Sequence, residues 1–256
     1  LSKRPEIFSL SKDLLLAPRQ AVSTLAEGPR VLPAALTIYA TYLVTAVIFY
    51  NWKPADFPPP PGGPGAEIVS GGLFFWLKVF SWNPPFLLIG TLFVAAFAWG
   101  LKEGKLALRL PLALMATALP AAWLAAANSL PRTLWIVGWM LLIGVAGTYA
   151  RRLGKATAIG LLALMTSVNI VALAFLPLFT VAVLTRMPRL YLGCEILMVV
   201  WTLGLASFAI ARLLDMRVAR AFTTLILSTI VQVLFIFAMR VAGWIPADAL
   251  KALMTA

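Results

Sequence analysis

Histidine is absent from the 256 residues, cysteine occurs once and only nine residues are acidic. Without histidine there is no Ser-His nucleophilic pair, no His-ligated zinc, no axial-His haem and no Ser-His intramembrane protease. The lone Cys194 can form neither an internal disulfide nor a thiolate cluster. With so few acids, and most of them outside the apolar stretches, a carboxylate pair for metal binding or aspartyl chemistry is hard to assemble. The chain is therefore expected to hold no metal, no cofactor and no catalytic constellation. Charge of both signs is scarce at 12% of residues, against about 25% in an ordinary soluble domain. That excludes a water-soluble enzyme.

What the chain has instead is apolar mass: 62% hydrophobic residues and a mean hydropathy of +0.94. Charged residues divide it into gaps, each close to the roughly 20 apolar residues a helix needs to cross a bilayer. The gaps predict seven spans, Leu32–Tyr50, Pro84–Leu101, Leu110–Asn128, Thr133–Ala150, Ala156–Leu184, Leu190–Leu213 and Val218–Met239. The fold class is an all-α polytopic bundle (residues 32–240), with a cytoplasmic amphipathic segment (residues 1–31) and a short C-terminal tail (residues 241–256). No stretch alternates as a barrel strand does. The fifth span is long, and Pro177 is the expected kink.

The net charge of +12 points to anionic lipid headgroups as partners. Nucleic acid is not expected, since no soluble basic domain exists to hold it. Lys3, Arg4, Lys12, Arg19 and Arg30 precede the first span; Lys102, Lys105, Arg109, Arg151, Arg152, Lys155, Arg212, Arg217 and Arg220 fall in alternate loops on the same side. The opposite side holds only Lys53, Lys78, Arg132, Arg186, Arg189, Arg240 and Lys251. This excess of basic residues predicts a cytoplasmic N-terminus and, after seven crossings, a C-terminus outside. The first thirty residues lack the pattern of a cleaved signal peptide, so the first apolar stretch is expected to stay as a span.

Two segments lie outside the spans. Pro18 suits the first turn of a helix. Beyond it, Ala21, Val22, Leu25 and Ala26 fall opposite Arg19, Gln20, Ser23, Thr24 and Glu27. Such a helix is expected to lie in the headgroup layer, packing against the cytoplasmic loops being the alternative. The outer loop (residues 51–83) contains Phe57-Pro-Pro-Pro-Pro-Gly-Gly-Pro-Gly65, an extended spacer, followed by the aromatic stretch Leu73–Trp82. That stretch suits an interfacial helix, one that dips inward, or packing on the bundle.

Within the spans, Glu195 is the only acid, and an ionisable intramembrane group is a functional candidate. Its place near a helix N-terminus gives it a plain electrostatic reading as well. Asn128, Asn169 and Gln232 are expected to hydrogen-bond neighbouring helices, and Gly138, Gly144 and Gly147 to permit close packing. Asp215, between Arg212 and Arg217, reads as a turn ion pair. The turns Ala98–Lys105, Thr148–Lys155 and Ile210–Arg217 look alike; selection for basic loops explains this, with duplication as the alternative.

The run Leu14-Leu-Leu-Ala-Pro-Arg-Gln-Ala-Val-Ser-Thr-Leu-Ala-Glu-Gly-Pro29, followed by a span, a long outer loop and closely connected spans, resembles the Yip-domain family of Ypt-interacting membrane proteins. Pro18 and Arg19 match the proline-basic pair that opens the family's cytoplasmic helix. The family usually has five spans, where this chain has seven. The resemblance implies a non-enzymatic organiser or trafficking role, with a protein partner or homo-oligomer open; the compact loops point to a bacterial inner membrane. Pro18, Arg19 and Leu25 are its candidate residues. A transporter or channel for an apolar or anionic solute, with a site near Glu195 or Asn169, is the competing reading; an intramembrane lipid-modifying enzyme is the third.

Overall fold

The structure, a computed structural model, describes residues 7–58 and 71–255, all helix, turn or coil with no strand among them. In chain order the helices are α1 (Ile7–Leu16), α2 (Pro18–Leu25), α3 (Leu32–Trp52), α4 (Leu73–Phe80), α5 (Asn83–Lys102), α6 (Leu106–Ala125), α7 (Arg132–Arg151), α8 (Lys155–Ser167), α9 (Ile170–Leu184), α10 (Pro188–Leu213), α11 (Val218–Val241) and α12 (Ala247–Thr255). Among the described residues, seven segments are long and apolar enough to cross a membrane, with α4–α5 and α8–α9 each forming one of them. Their limits fall within a few residues of the charge gaps, except that α4 extends the second. The protein is an integral membrane protein. Large apolar side chains such as Val44, Leu112, Met140, Leu141, Ile196 and Val200 stand exposed along the outer helix faces. In water such a surface would be prohibitive, whereas a bilayer solvates it.

The long span does not break where its proline sits. α9 runs through Pro177, and the interruption comes at Val168–Asn169. The sequence Thr166-Ser-Val-Asn169 accounts for this. Thr166 donates its hydroxyl to the Leu162 and Ala163 carbonyls, Ser167 to Leu164, and Asn169 its amide to Met165 and Thr166. Side chains thus take over carbonyls at the end of α8, which lets the ladder lapse. Asn169 closes its own helix end instead of reaching a neighbour.

Among the described residues the bundle has two large apolar cores and two small clusters. One core joins α1, α2, α3, α8, α9 and α10 around Leu14, Leu25, Leu161, Val171 and Ile210. The other joins the far part of α3 to α4, α7, α11 and α12 around Trp76, Trp135, Trp139, Phe235 and Ile245. α5 against α11 and α10 against α11 hold the halves together. Gln232 of α11 donates to the Phe86 carbonyl of α5 at 3.1 Å. Gly90 makes that approach possible, since a Cβ there would lie 2.5 Å from the Gln232 oxygen.

At the basic end, Arg220 donates to the carbonyls of Leu101, Lys102 and Gly104 at 3.0, 2.8 and 2.6 Å. It closes the C-terminus of α5, where a cation meets the negative end of the helix dipole. The three hairpin turns at this end each contain one left-handed residue, Gly104, Gly154 and Asp215. Asp215 forms no ion pair with Arg212 or Arg217; among the described residues the ion pair found is Arg186–Asp56. The aspartate serves the turn conformation, with Met216 N–H donating back to the Ala211 carbonyl at 2.8 Å. At the far end Arg132 donates to the Ala242 carbonyl. The C-terminal tail forms α12, whose Ala249 and Ala252 are buried and which packs on α4. Within α4, Trp76, Val79 and Phe80 are buried while Phe74 stays exposed. Of the alternatives for the aromatic stretch, packing on the bundle describes it.

Candidate functional site

The α3 sequence places Tyr42, Thr45, Phe49, Tyr50 and Lys53 three, four, one and three residues apart, which puts them along one side of a helix. On α10, Tyr191 and Glu195 are one turn apart. α9 supplies Leu173 and Phe179. All of these except Lys53 line a cavity of about 80 Å³, with Tyr42, Thr45, Tyr50, Tyr191 and Glu195 as its polar lining. Glu195 is half-buried. It lies seven residues into α10, about 10 Å along the helix from its start at the usual rise.

Lys53, just beyond the end of the first span, lies over two of the tyrosines that line this cavity. Its Nζ lies 5.5 Å from the Tyr50 ring centroid and 5.7 Å from that of Tyr191, within cation–π reach of both. The same ammonium donates to the Phe57 carbonyl at 2.8 Å. Phe57 is itself buried and meets Tyr191 edge-on at 5.6 Å. Burial pushes the Lys53 ammonium below the usual lysine range, and the Glu195 carboxylate pulls it partly back. No cation among the described residues comes within 4.0 Å of Glu195. The carboxylate and Lys53 thus attract each other without forming an ion pair.

The rim is stabilised from outside. Tyr50 packs on Trp76 and Phe80 of α4 at 5.1 and 5.6 Å, and Phe179 packs on Tyr191 at 5.0 Å. Arg186, at the α9–α10 turn, donates to Asp56 at 2.9 Å and ties the outer loop down beside Lys53. That hydrogen bond holds the Asp56 carboxyl below its ordinary range. From Pro59 onward the proline-rich spacer lies outside the described residues.

Comparison with family models, curated proteins and solved structures found no match.

The sequence candidates do not converge. Glu195 lies in the cavity, whereas Asn169 closes the end of α8 and does not line it. Pro18, Arg19 and Leu25 are at the basic end. Pro18 opens α2 and Arg19 is exposed. Leu25 is 1% exposed, and with Ala21 and Val22 it is buried in the bundle core. α2 keeps the amphipathic division read from its sequence, but α8 and α10 cover its apolar stripe. Its packing is that of the alternative, against the bundle. Lys53 and the three tyrosines were not singled out from the sequence. Their signal was there in the helical spacing on α3 and in the Tyr191–Glu195 pair, but Lys53 reads as an ordinary charge ending a span. No group of three or more potential metal ligands occurs among the described residues.

Proposed function

We propose that the protein is a transporter-type solute-binding membrane protein whose site takes a small organic cation, an amine or a methylated ammonium. The observation that carries this reading is the placement of the spans' one acid, Glu195, in a cavity lined by three tyrosines, two of which carry the Lys53 ammonium on their rings. Aromatic faces and a carboxylate are the elements that recognise an ammonium. Lys53 supplies an ammonium of the protein's own, a tethered competitor that a ligand displaces.

Binding of tetramethylammonium to the full chain in detergent tests this. Glu195→Gln is expected to weaken binding about tenfold or more, as loss of one partly buried charge partner does. Lys53→Met is expected to tighten it. Because burial lowers the Lys53 pKa, wild-type binding strengthens as pH rises toward the ordinary lysine value of 10.5, and Lys53→Met removes that dependence. Equal binding by wild type and Glu195→Gln refutes the reading. The excess of basic residues on the N-terminal side supports a cytoplasmic N-terminus. Cysteines placed at exposed Glu27 and Asp248 should label from opposite compartments.

A Yip-like organiser role is a second reading. It is favoured by Phe8 and Leu16, exposed to 79% and 74% on α1, with Arg19 close by in sequence. Because Leu25 is buried, its replacement would test stability. The informative variant is Phe8→Ala with Leu16→Ala and Arg19→Glu, and an unchanged effect on vesicle shape counts against the role.

A further inference from the structure

A second cavity, of about 300 Å³, lies between α5, α6, α7 and α11, away from Glu195. Its wall is built from stripes on three helices. α6 contributes Arg109, Ala113, Ala116 and Pro120, α5 contributes Phe93 and Phe97, and the small side chains of α6 leave the space that the phenylalanines do not fill. Leu112, Leu119 and Val145, exposed to between 53% and 60%, border it, so it opens sideways on the lipid-facing surface.

Charge is confined to one end. Arg109 is the only charged residue of the lining. Trp99 and Tyr149, also in the wall, carry the Arg152 guanidinium 5.0 and 5.7 Å from their ring centroids. Among the described residues neither arginine has a carboxylate within 4.0 Å. From Arg109 to Pro120 the groove follows eleven residues of α6, about 16 Å at the usual rise. That is about the depth of one leaflet in a hydrocarbon core of about 30 Å. A polar mouth with two unpaired guanidiniums, interfacial aromatics and an apolar channel one leaflet deep match one amphiphile. We propose that this groove is a binding site for an anionic phospholipid of the surrounding bilayer, its phosphate between Arg109 and Arg152 and one acyl chain along α6. Basic pockets between spans bind anionic headgroups on this principle.

The test is native mass spectrometry of the full chain from micelles containing equal phosphatidylglycerol and phosphatidylcholine. Wild type is expected to retain phosphatidylglycerol preferentially, and Arg109→Gln and Arg152→Gln each to reduce that preference about fivefold. Ala116→Phe, which fills the channel and leaves both charges, is expected to lose the retained lipid. Arg189→Gln, at the opposite end, is the unchanged control. Excess inorganic phosphate is expected not to displace the lipid. A second measurement needs no variant: chain-brominated phosphatidylglycerol should quench tryptophan fluorescence at a lower lipid fraction than brominated phosphatidylcholine. The proposal is overturned by equal retention or equal quenching of the two lipids. It is also overturned by full preference in the double arginine variant or in Ala116→Phe, or by displacement with phosphate. None of these readouts depends on Glu195, so the two sites stand or fall separately.

Discussion

Three glycines of α7 offer one substitution with opposite outcomes. Gly138, Gly144 and Gly147 all suggest close packing from sequence, yet around Gly144 and Gly147 nothing lies within 4 Å of where a Cβ would stand. At Gly138 a Cβ would lie 2.2 Å from the Trp123 ring. The ring is tied across to α7, and the tie is reciprocal: Trp123 Nε1 donates to the Trp135 carbonyl at 3.0 Å, and Trp135 Nε1 donates to the Trp123 backbone carbonyl at 2.9 Å. Trp135 is 2% exposed, so the pair locks α6 to α7 beside the core. Gly138→Ala must push out a rigid indole. The strain is about 1–3 kcal/mol, and the interhelical hydrogen bond that the indole donates is worth about 0.6–2 kcal/mol. Against this stands about 1 kcal/mol of gained helix propensity. The net expectation is a loss of about 2 kcal/mol. Gly144→Ala meets no neighbour and is expected to be neutral or to gain up to about 1 kcal/mol. Unfolding in mixed micelles with a rising fraction of dodecyl sulfate, followed by helix circular dichroism, measures both variants. Gly138→Ala should in addition shift tryptophan emission as the indoles leave their carbonyls. Equal midpoints for the two variants would refute the steric reasoning.

Other outcomes follow from the turns and loops. Arg220→Ala is expected to destabilise the protein by about 2 kcal/mol, since charged donors serve three carbonyls at one helix end. Arg220→Lys should restore only part of this, because an ammonium cannot span the same fork; thermal unfolding in detergent reads both. Asp215→Gly is expected to raise stability by about 1 kcal/mol in the same assay, as glycine adopts the left-handed conformation without the Cβ clash. The Asp56 carboxyl is held below its ordinary value of 3.8 by Arg186. The tie it provides is therefore fully present above that pH and is lost as pH falls through the lowered folded value. Amide protection at residues 53–57, taken against the intrinsic exchange rate at each pH, should fall over that acid window, and Asp56→Asn should be weakly protected at all pH values.

Span number and limits were legible in the sequence because charge is excluded from hydrocarbon, and its gaps mark the crossings one-dimensionally. The apolar stripe of α2 was legible too, from helical spacing between Pro18 and Gly28. Which surface covers that stripe was not. Leu25 meets α8 and α10 only after more than a hundred intervening residues have folded back, and amphipathic periodicity has the same form whether lipid or protein lies opposite. The break at Val168–Asn169 turned on local competition for carbonyls, which a prominent proline eight residues further on obscured.

Composition and charge spacing by themselves determined a helical membrane protein of seven crossings, with an excess of basic residues on one side. Tertiary structure alone decided the rest. It brought Lys53 over Tyr50 and Tyr191 beside Glu195, set Arg109 and Arg152 at the mouth of an apolar groove, and separated Gly138 from its two look-alikes. The physical reason is common to all three. Hydrophobicity is a property of each residue and survives being read along a line. A site is a relation between side chains of distant helices, set by rotation and packing that no stretch of sequence contains.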